Sequence, residues 1–224
     1  MLDVGCGCGD TTLAAAALAD RAVGLDPSGP MLHVARRLTG QSGVRNVRFV
    51  QGDAQACPLL RGSCDVAISN FGVMFFDDPV HAFTSIAATV RHGGRLAFLC
   101  WQDDTLNELG IPLRVFAAHT ALPEPSGNST FFDPGQITTL LSKTGWGDVQ
   151  IDPVIEPARV GSDVDDVMNY IYGMPAIAML TARLDDSALA ERIRAAMADE
   201  YAARCGVDGV WVRAAAWLVT ARRR

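Results

Sequence analysis

The sequence predicts an α/β fold: a Rossmann-like, doubly wound, mostly parallel seven-stranded sheet with an antiparallel last strand and a helical insertion before it. Three observations carry this prediction. Strand-like and helix-like segments alternate from Met1 to Trp101. The strand-like runs are continuously apolar, as expected for parallel strands covered on both faces. A glycine-rich turn joins the first strand to the first helix, and acidic or amide residues recur where later strands end.

Each element follows from local signals. Met1 to Val4 reads as the end of a strand, and "DTTLAAAALAD" (10–20) as an alanine-rich helix. "AVGLD" (22–26) is the second strand, and Pro30 opens a helix at "MLHVARRL". "VRFVQGD" (47–53) and "CDVAISN" (64–70) are the third and fourth strands, followed by a Pro-led helix over 79–90. Gly93 and Gly94 turn the chain into "RLAFLCW" (95–101). Beyond Trp101, proline and polar residues thicken up to 135, with weak helical content near "IPLRVFAAHTAL". "DPGQITTLLSKTG" carries an Asp cap, a Pro start and a Gly stop, which together mark a helix. "WGDVQIDPVI" and "VWVRAAAWLVTARR" read as two late strands, with helices over 163–204 between them.

Composition narrows the function classes. The 224 residues carry a formal net charge of −6, which argues against a nucleic-acid surface because phosphate contact needs clustered Lys and Arg. The terminal "ARRR" reads as a solvated end. No apolar run is long enough to cross a membrane, and the six cysteines show no regular spacing, so a cytoplasmic protein with free thiols is expected.

The glycine turn is the most informative stretch. In "MLDVGCGCGDTT", Gly5, Gly7 and Gly9 remove the Cβ atoms that would keep backbone away from a ligand, and the next helix offers free N–H groups at its start. Cys6 and Cys8 fill between the glycines; a C-x-C metal site needs further ligands at matching spacing, and no metal is expected. Asp26 ends the second strand, where a carboxylate can accept both hydroxyls of a ribose. Asp53 ends the third, placed to accept an exocyclic amine while Ala54 offers backbone to a ring nitrogen, and Asn70 and Phe71 follow the fourth.

With these residues the chain resembles the class I S-adenosylmethionine-dependent methyltransferases, in particular their small-molecule branch. "LDVGCGCGD" is similar to the family's glycine loop, "VGLDPSGPML" to its ribose motif, "VQGDAQACPL" to its adenine motif and "CDVAISNFGVMFFDDP" to its fourth-strand motif. "VRHGGRLAFLCW" is similar to the fifth strand and its Gly-Gly turn. The resemblance implies S-adenosyl-L-methionine as cofactor and a small-molecule acceptor. It also implies one methyltransferase domain over 1–224, with a cofactor-binding core at 1–101 and substrate-side helices and late strands at 102–224. Gly5, Gly7 and Gly9 would line the methionine and ribose, and Asp3 would reach the methionine ammonium directly or through water. Asp26 would hold the ribose, Met31 pack on the adenine, Asp53 and Ala54 read its edge, and Asn70 and Phe71 lie beside the amino-acid moiety. The insertion at 163–204 would form the acceptor pocket and its lid, with Tyr170 and Tyr172 as lid candidates.

Other expectations are attached to single features. Phe75 or Phe76 would wall a substrate pocket. His81, on the first turn of a helix after the fourth strand, is the one weak candidate for a general base; His33 reads as a surface residue and His92 as structural. "SNFG" stands where amino-methylating members carry an Asn-Pro-Pro-Tyr-like run, which leans toward an oxygen or carbon acceptor. Family members place helices ahead of the glycine-loop strand, so the start at "MLDVG" carries the expectation of a misassigned start or a fragment that binds cofactor weakly. Equal affinity by calorimetry for this chain and an extended one would contradict that. A homodimer is open, and contact with nucleic acid or membrane is not expected. Two other functions share these features: a nicotinamide-dependent oxidoreductase, and a non-catalytic binding domain of the same fold.

Overall fold

The computed structural model describes residues 1–56, 59–102, 106–120 and 131–224. The chain divides into two compact units. The first comprises Met1–Trp101, Gly127–Pro153 and Ala216–Arg224, and the second Gln102–Ser126 and Val154–Ala215.

In the first unit, β1 (Leu2–Val4), β2 (Ala22–Asp26), β3 (Val47–Gln51), β4 (Cys64–Asn70) and β5 (Val90–Trp101) form a parallel sheet. Between them lie α1 (Asp10–Ala16), α2 (Gly29–Ser42) and α3 (Pro79–Thr89), with α5 (Pro134–Lys143) later in the chain. The strand order is β3-β2-β1-β4-β5-β8-β6, where β6 spans Trp146–Gly161 and β8 spans Gly209–Arg223. β8 runs antiparallel to β5, from Arg95 opposite Arg222 to Trp101 opposite Ala216. The path thus has the expected seven strands. A two-residue β7 (Cys205–Gly206) pairs with β8 off this path. Because β1 pairs with β2 on one side and β4 on the other, the order reverses at β1, and a crevice opens at the carboxyl ends of these strands.

The core of this unit is rich in aromatic rings, with Phe83, Phe98, Phe131 and Trp146 fully buried and the first three in mutual ring contact. The Trp146 indole N–H donates to the Phe83 carbonyl at 3.2 Å, so burying it leaves no polar group unpaired. Several helix starts are capped as their sequences demand. Asp78 accepts from the His81 N–H, Asp133 from Gly135 and Gln136, and Ser28 from Met31.

Three sequence expectations are corrected. β5 begins at Val90 rather than Arg95, with an irregular register between Cys64 and Val66 on its neighbour that absorbs Gly93 and Gly94. β6 continues to Gly161 although Pro153 and Pro157 lie within it; the strand order ends on β6, and an edge strand tolerates residues without an N–H. The terminal arginines are solvated at Arg222 and Arg224, which are exposed, but they close β8 rather than forming a free tail. Arg222 is in register with Arg95, and Arg223 donates to the carbonyls of Ala87 and Gly145.

The second unit holds α4 (Ile111–His119), α6 (Val164–Gly173), α7 (Pro175–Thr181) and α8 (Ser187–Ala202), with the distal parts of β6 and β8. Ile111, Phe116, Ile171, Ile193 and Met197 form its core. Glu108 ties it together: one carboxylate oxygen accepts from Arg204 at 3.1 Å and the other from the Arg213 N–H at 2.7 Å. These contacts, the Arg213 amide foremost, hold the Glu108 carboxyl below its ordinary range.

Candidate active site

The crevice at the carboxyl ends of β1, β2, β3 and β4 has a volume of about 690 Å³. Its floor is the glycine loop. Gly5, Gly7 and Gly9 all have positive φ, at 67°, 53° and 91°. The Gly5 and Cys6 N–H groups both donate to the Leu25 carbonyl, which pins the loop to the end of β2. A Cβ on Gly5 would stand 2.8 Å from the Cα of Gly72, so the loop lies backbone against backbone on the turn after β4. Gly9 does something different. It is the N-cap of α1, and a Cβ there would meet Phe49 and Ala35 in the interior rather than the crevice.

Asp26 is the electrostatic centre of the loop. One carboxylate oxygen accepts the Gly7 N–H at 2.9 Å and the other the Ser28 N–H at 2.8 Å. Each oxygen keeps a second lone pair, so the group can still accept hydroxyls from the crevice it lines. Ser28, not Asp26, caps α2. Met31 lines the crevice beside Gly7, its Cε 3.1 Å from where a Gly7 Cβ would be.

Asp3 is buried, with 2% of its surface exposed, and does not itself line the crevice. Thr12 Oγ1 donates to its Oδ2 at 2.6 Å, while Oδ1 has no hydrogen-bond partner among the described residues. Burial, opposed by the Thr12 bond and reinforced by the nearby Asp26 charge, pushes the Asp3 carboxyl up to about 6. Burial also pushes the Cys6 thiol up to about 12, so it stays protonated and acts as filler against Gly24.

The opposite wall comes from the segments after β3 and β4. Asp53 accepts from both the backbone and side-chain N–H of Gln55, and Gln55 Oε1 in turn accepts the Asp78 N–H, joining the two segments. Ala54, Asn70 and Phe71 also line the crevice, with Phe75 and Phe76. Part of the adenine-motif stretch, Cys57 and Pro58, lies outside the described residues. Phe71 holds a left-handed conformation (φ 61°), and its ring stacks on Trp101 at 3.7 Å between centroids. His81 does not join this group. It lines a separate cavity with Arg61, Thr84 and Lys143, so it is not positioned as a base at the crevice.

The sequence reading missed Thr12, Gln55, Gly72 and Trp101. Thr12 carried a faint signal, sitting one helical turn past the glycine loop. The others act across long separations that no local pattern reveals.

A family model described as a methyltransferase domain matches residues 2–98. Over these residues the chain is similar to methyltransferases, and the match, with the sheet order and the glycine cradle, supports a class I S-adenosylmethionine-dependent methyltransferase. Among curated relatives, an uncharacterized methyltransferase of Bacillus subtilis, YcgJ, is 33% identical over 95 residues, covering 42% of this chain and 38% of that protein. A malonyl-[acyl-carrier protein] O-methyltransferase of Methylococcus capsulatus is 33% identical over 122 residues, covering 54% of this chain and 44% of the relative. The chain thus spans less than half the length of either matched relative. The crystal structure of YcgJ superposes with a TM-score of 0.66 at 20% identity, covering all of this chain and 91% of that one. A geranyl diphosphate C-methyltransferase of Streptomyces coelicolor, solved with S-adenosyl-L-homocysteine, gives 0.58 at 16% identity, covering 100% and 72%. These likenesses agree with the fold derived above.

S-adenosylmethionine is the cofactor of the family, and the residues present fit it. The glycine cradle leaves space that a Cβ would fill, and the unpartnered buried Asp3 Oδ1 suits an ammonium group. No Lys, Arg or His is among the residues lining the crevice, while Asp10, Asp26, Asp53 and Asp77 are.

Proposed function

We propose that this chain transfers a methyl group from S-adenosylmethionine to an oxygen or carbon atom of a small-molecule acceptor. The single observation that carries the reading is the acidic crevice over a glycine cradle. The cofactor's sulfonium and ammonium outweigh its single carboxylate, and this net positive charge matches a crevice lined by four aspartates. A dinucleotide would bring a diphosphate to the same walls, where no cationic side chain offsets it among the described lining residues.

Bound there, the cofactor supplies a methyl carbon already activated by positive sulfur. The protein's part is to bind, orient and exclude water. In this reading Asp26 takes the ribose diol while Gly7 N–H holds its carboxylate still. Asp3, which does not line the crevice, reaches the ammonium through a water at Oδ1, with Thr12 fixing the other oxygen. Asp53 and Ala54 read the adenine edge beside Met31, and Asn70 and Phe71 adjoin the amino-acid moiety. His81 takes no part. The helices of 163–204 set acceptor preference; multiple substitutions there that left the preference intact would remove this assignment. Among the described residues five cysteines are free, which favours a cytoplasmic setting, and no helix there is long and apolar enough to cross a membrane.

Thermal shift separates the two cofactor classes. S-adenosylhomocysteine at about 100 times its dissociation constant should stabilise by about 2.7 kcal/mol, or roughly 5–10 °C for a chain of this size, and NAD should give no shift. A shift with NAD alone would overturn the reading. Transfer of tritium from labelled cofactor into a metabolite extract separates an enzyme from a binding domain, which would give none.

A further inference from the structure

Beyond the cofactor, the crevice carries a second pattern. Its wall after β4 is aromatic: Phe71, Phe75 and Phe76 line it, and Trp101 backs Phe71 in a stack tilted by 18°. Phe75 is 85% exposed, an apolar ring held in water that only a second apolar surface would cover. Asp77 follows directly, lines the same crevice, and its carboxylate makes no side-chain hydrogen bond among the described residues. A flat ring would cover Phe75 and Phe76, and a hydroxyl on it could donate to Asp77.

The charge pattern limits the acceptor further. A carboxylate or phosphate would enter beside four aspartates with no lysine, arginine or histidine among the lining residues. The residues outside the described set (57–58, 103–105 and 121–130) contain none of these three types either. An anion desolvated without a partner is costly, whereas an uncharged hydroxyl is recognised by a carboxylate as a donor and keeps a lone pair for the methyl group.

Resting on the methyltransferase reading, we propose that the acceptor is an uncharged, planar hydroxyaromatic compound, seated on Phe75 and Phe76 with its hydroxyl donated to Asp77. In the transfer the methyl carbon–sulfur bond breaks with its electron pair going to sulfur. The hydroxyl oxygen forms the new bond to carbon, and its proton leaves to Asp77 or water.

Calorimetry on the full chain tests this with 2-naphthol and 2-naphthoate after loading with S-adenosylhomocysteine. Naphthol should bind at least about tenfold more tightly than naphthoate, an affinity ratio of about 1.4 kcal/mol. Phe75→Ala, at an exposed position that folding does not depend on, should weaken naphthol about tenfold while S-adenosylhomocysteine changes less than about threefold. Asp77→Asn should narrow the naphthol-to-naphthoate ratio. If S-adenosylhomocysteine itself fails to bind, the cofactor reading falls. If it binds and naphthoate matches or exceeds naphthol, or Phe75→Ala weakens both ligands equally, the acceptor proposal alone is overturned.

Discussion

Gly5→Ala is expected to abolish measurable S-adenosylhomocysteine binding and to lower the melting temperature by roughly 5–15 °C. Two costs combine at this position. Alanine at a φ of 67° is strained by about 1–2 kcal/mol. Its Cβ would also stand 2.8 Å from the Gly72 Cα, and two backbones cannot yield as a flexible side chain can. A total of about 2–4 kcal/mol corresponds to that melting shift in a chain of this size. Relief requires the loop to move away from the turn after β4, which carries Asn70 and Phe71 at the crevice wall, and a displacement of about 1 Å is enough to ruin a preorganised site. Gly72→Ala presses on the same contact from the other side and should behave alike. The control is Gly40→Ala in the interior of α2, where a Cβ meets nothing within 4 Å. It should leave binding unchanged and add about 0.5–1 kcal/mol of stability. Calorimetry and thermal denaturation check all three variants, and wild-type affinity in Gly5→Ala would show that the loop does not hold the cofactor.

This contact also marks how far the sequence could be read. The bounds of β2 and β4 were legible because continuous apolar runs end in a polar residue that the crevice uses, Asp26 in one and Asn70 in the other. The glycine loop was legible because three alternating glycines have few other uses. What could not be read was which glycine does what. Gly5 meets a backbone 67 residues away, Gly7 lies under Met31, and Gly9 packs against Phe49. The late strand reads as ending at Ile155, ahead of Pro157, because sequence does not show that the strand lies at a sheet edge, where a second proline is tolerated. His81 drew attention by its place after β4, yet its helix directs it to another cavity. The aromatic wall was visible only in part: Phe75 and Phe76 are neighbours in sequence, while the Phe71–Trp101 stack joins positions 30 apart.

Asp3 gives the other large expected effect, and it is one of opposite signs. Its carboxyl is raised to about 6 by burial, with Asp26 adding to the rise and Thr12 opposing it. The folded chain therefore holds this proton more tightly than the unfolded chain, whose carboxyl lies near 3.8. Stability falls as pH rises from about 4 through about 6, and above that the full cost of about 3 kcal/mol is present. Asp3→Asn removes the charge while its carbonyl can still accept from Thr12. The ligand-free variant should thus be more stable than the parent at pH 8, by up to about 3 kcal/mol, and equal to it near pH 4. Cofactor binding should move the other way. An ammonium group near the unpartnered Oδ1 favours the ionised carboxylate, so the parent's affinity for S-adenosylhomocysteine should rise with pH through the same window. The variant should be flat with pH and about 10- to 100-fold weaker at pH 8, the loss of one charge-assisted hydrogen bond. Thermal denaturation and calorimetry at several pH values measure both halves. A variant no more stable than the parent at pH 8 would show that Asp3 is not under strain. A variant that binds as tightly as the parent would show that the buried carboxylate serves the fold and not the ligand.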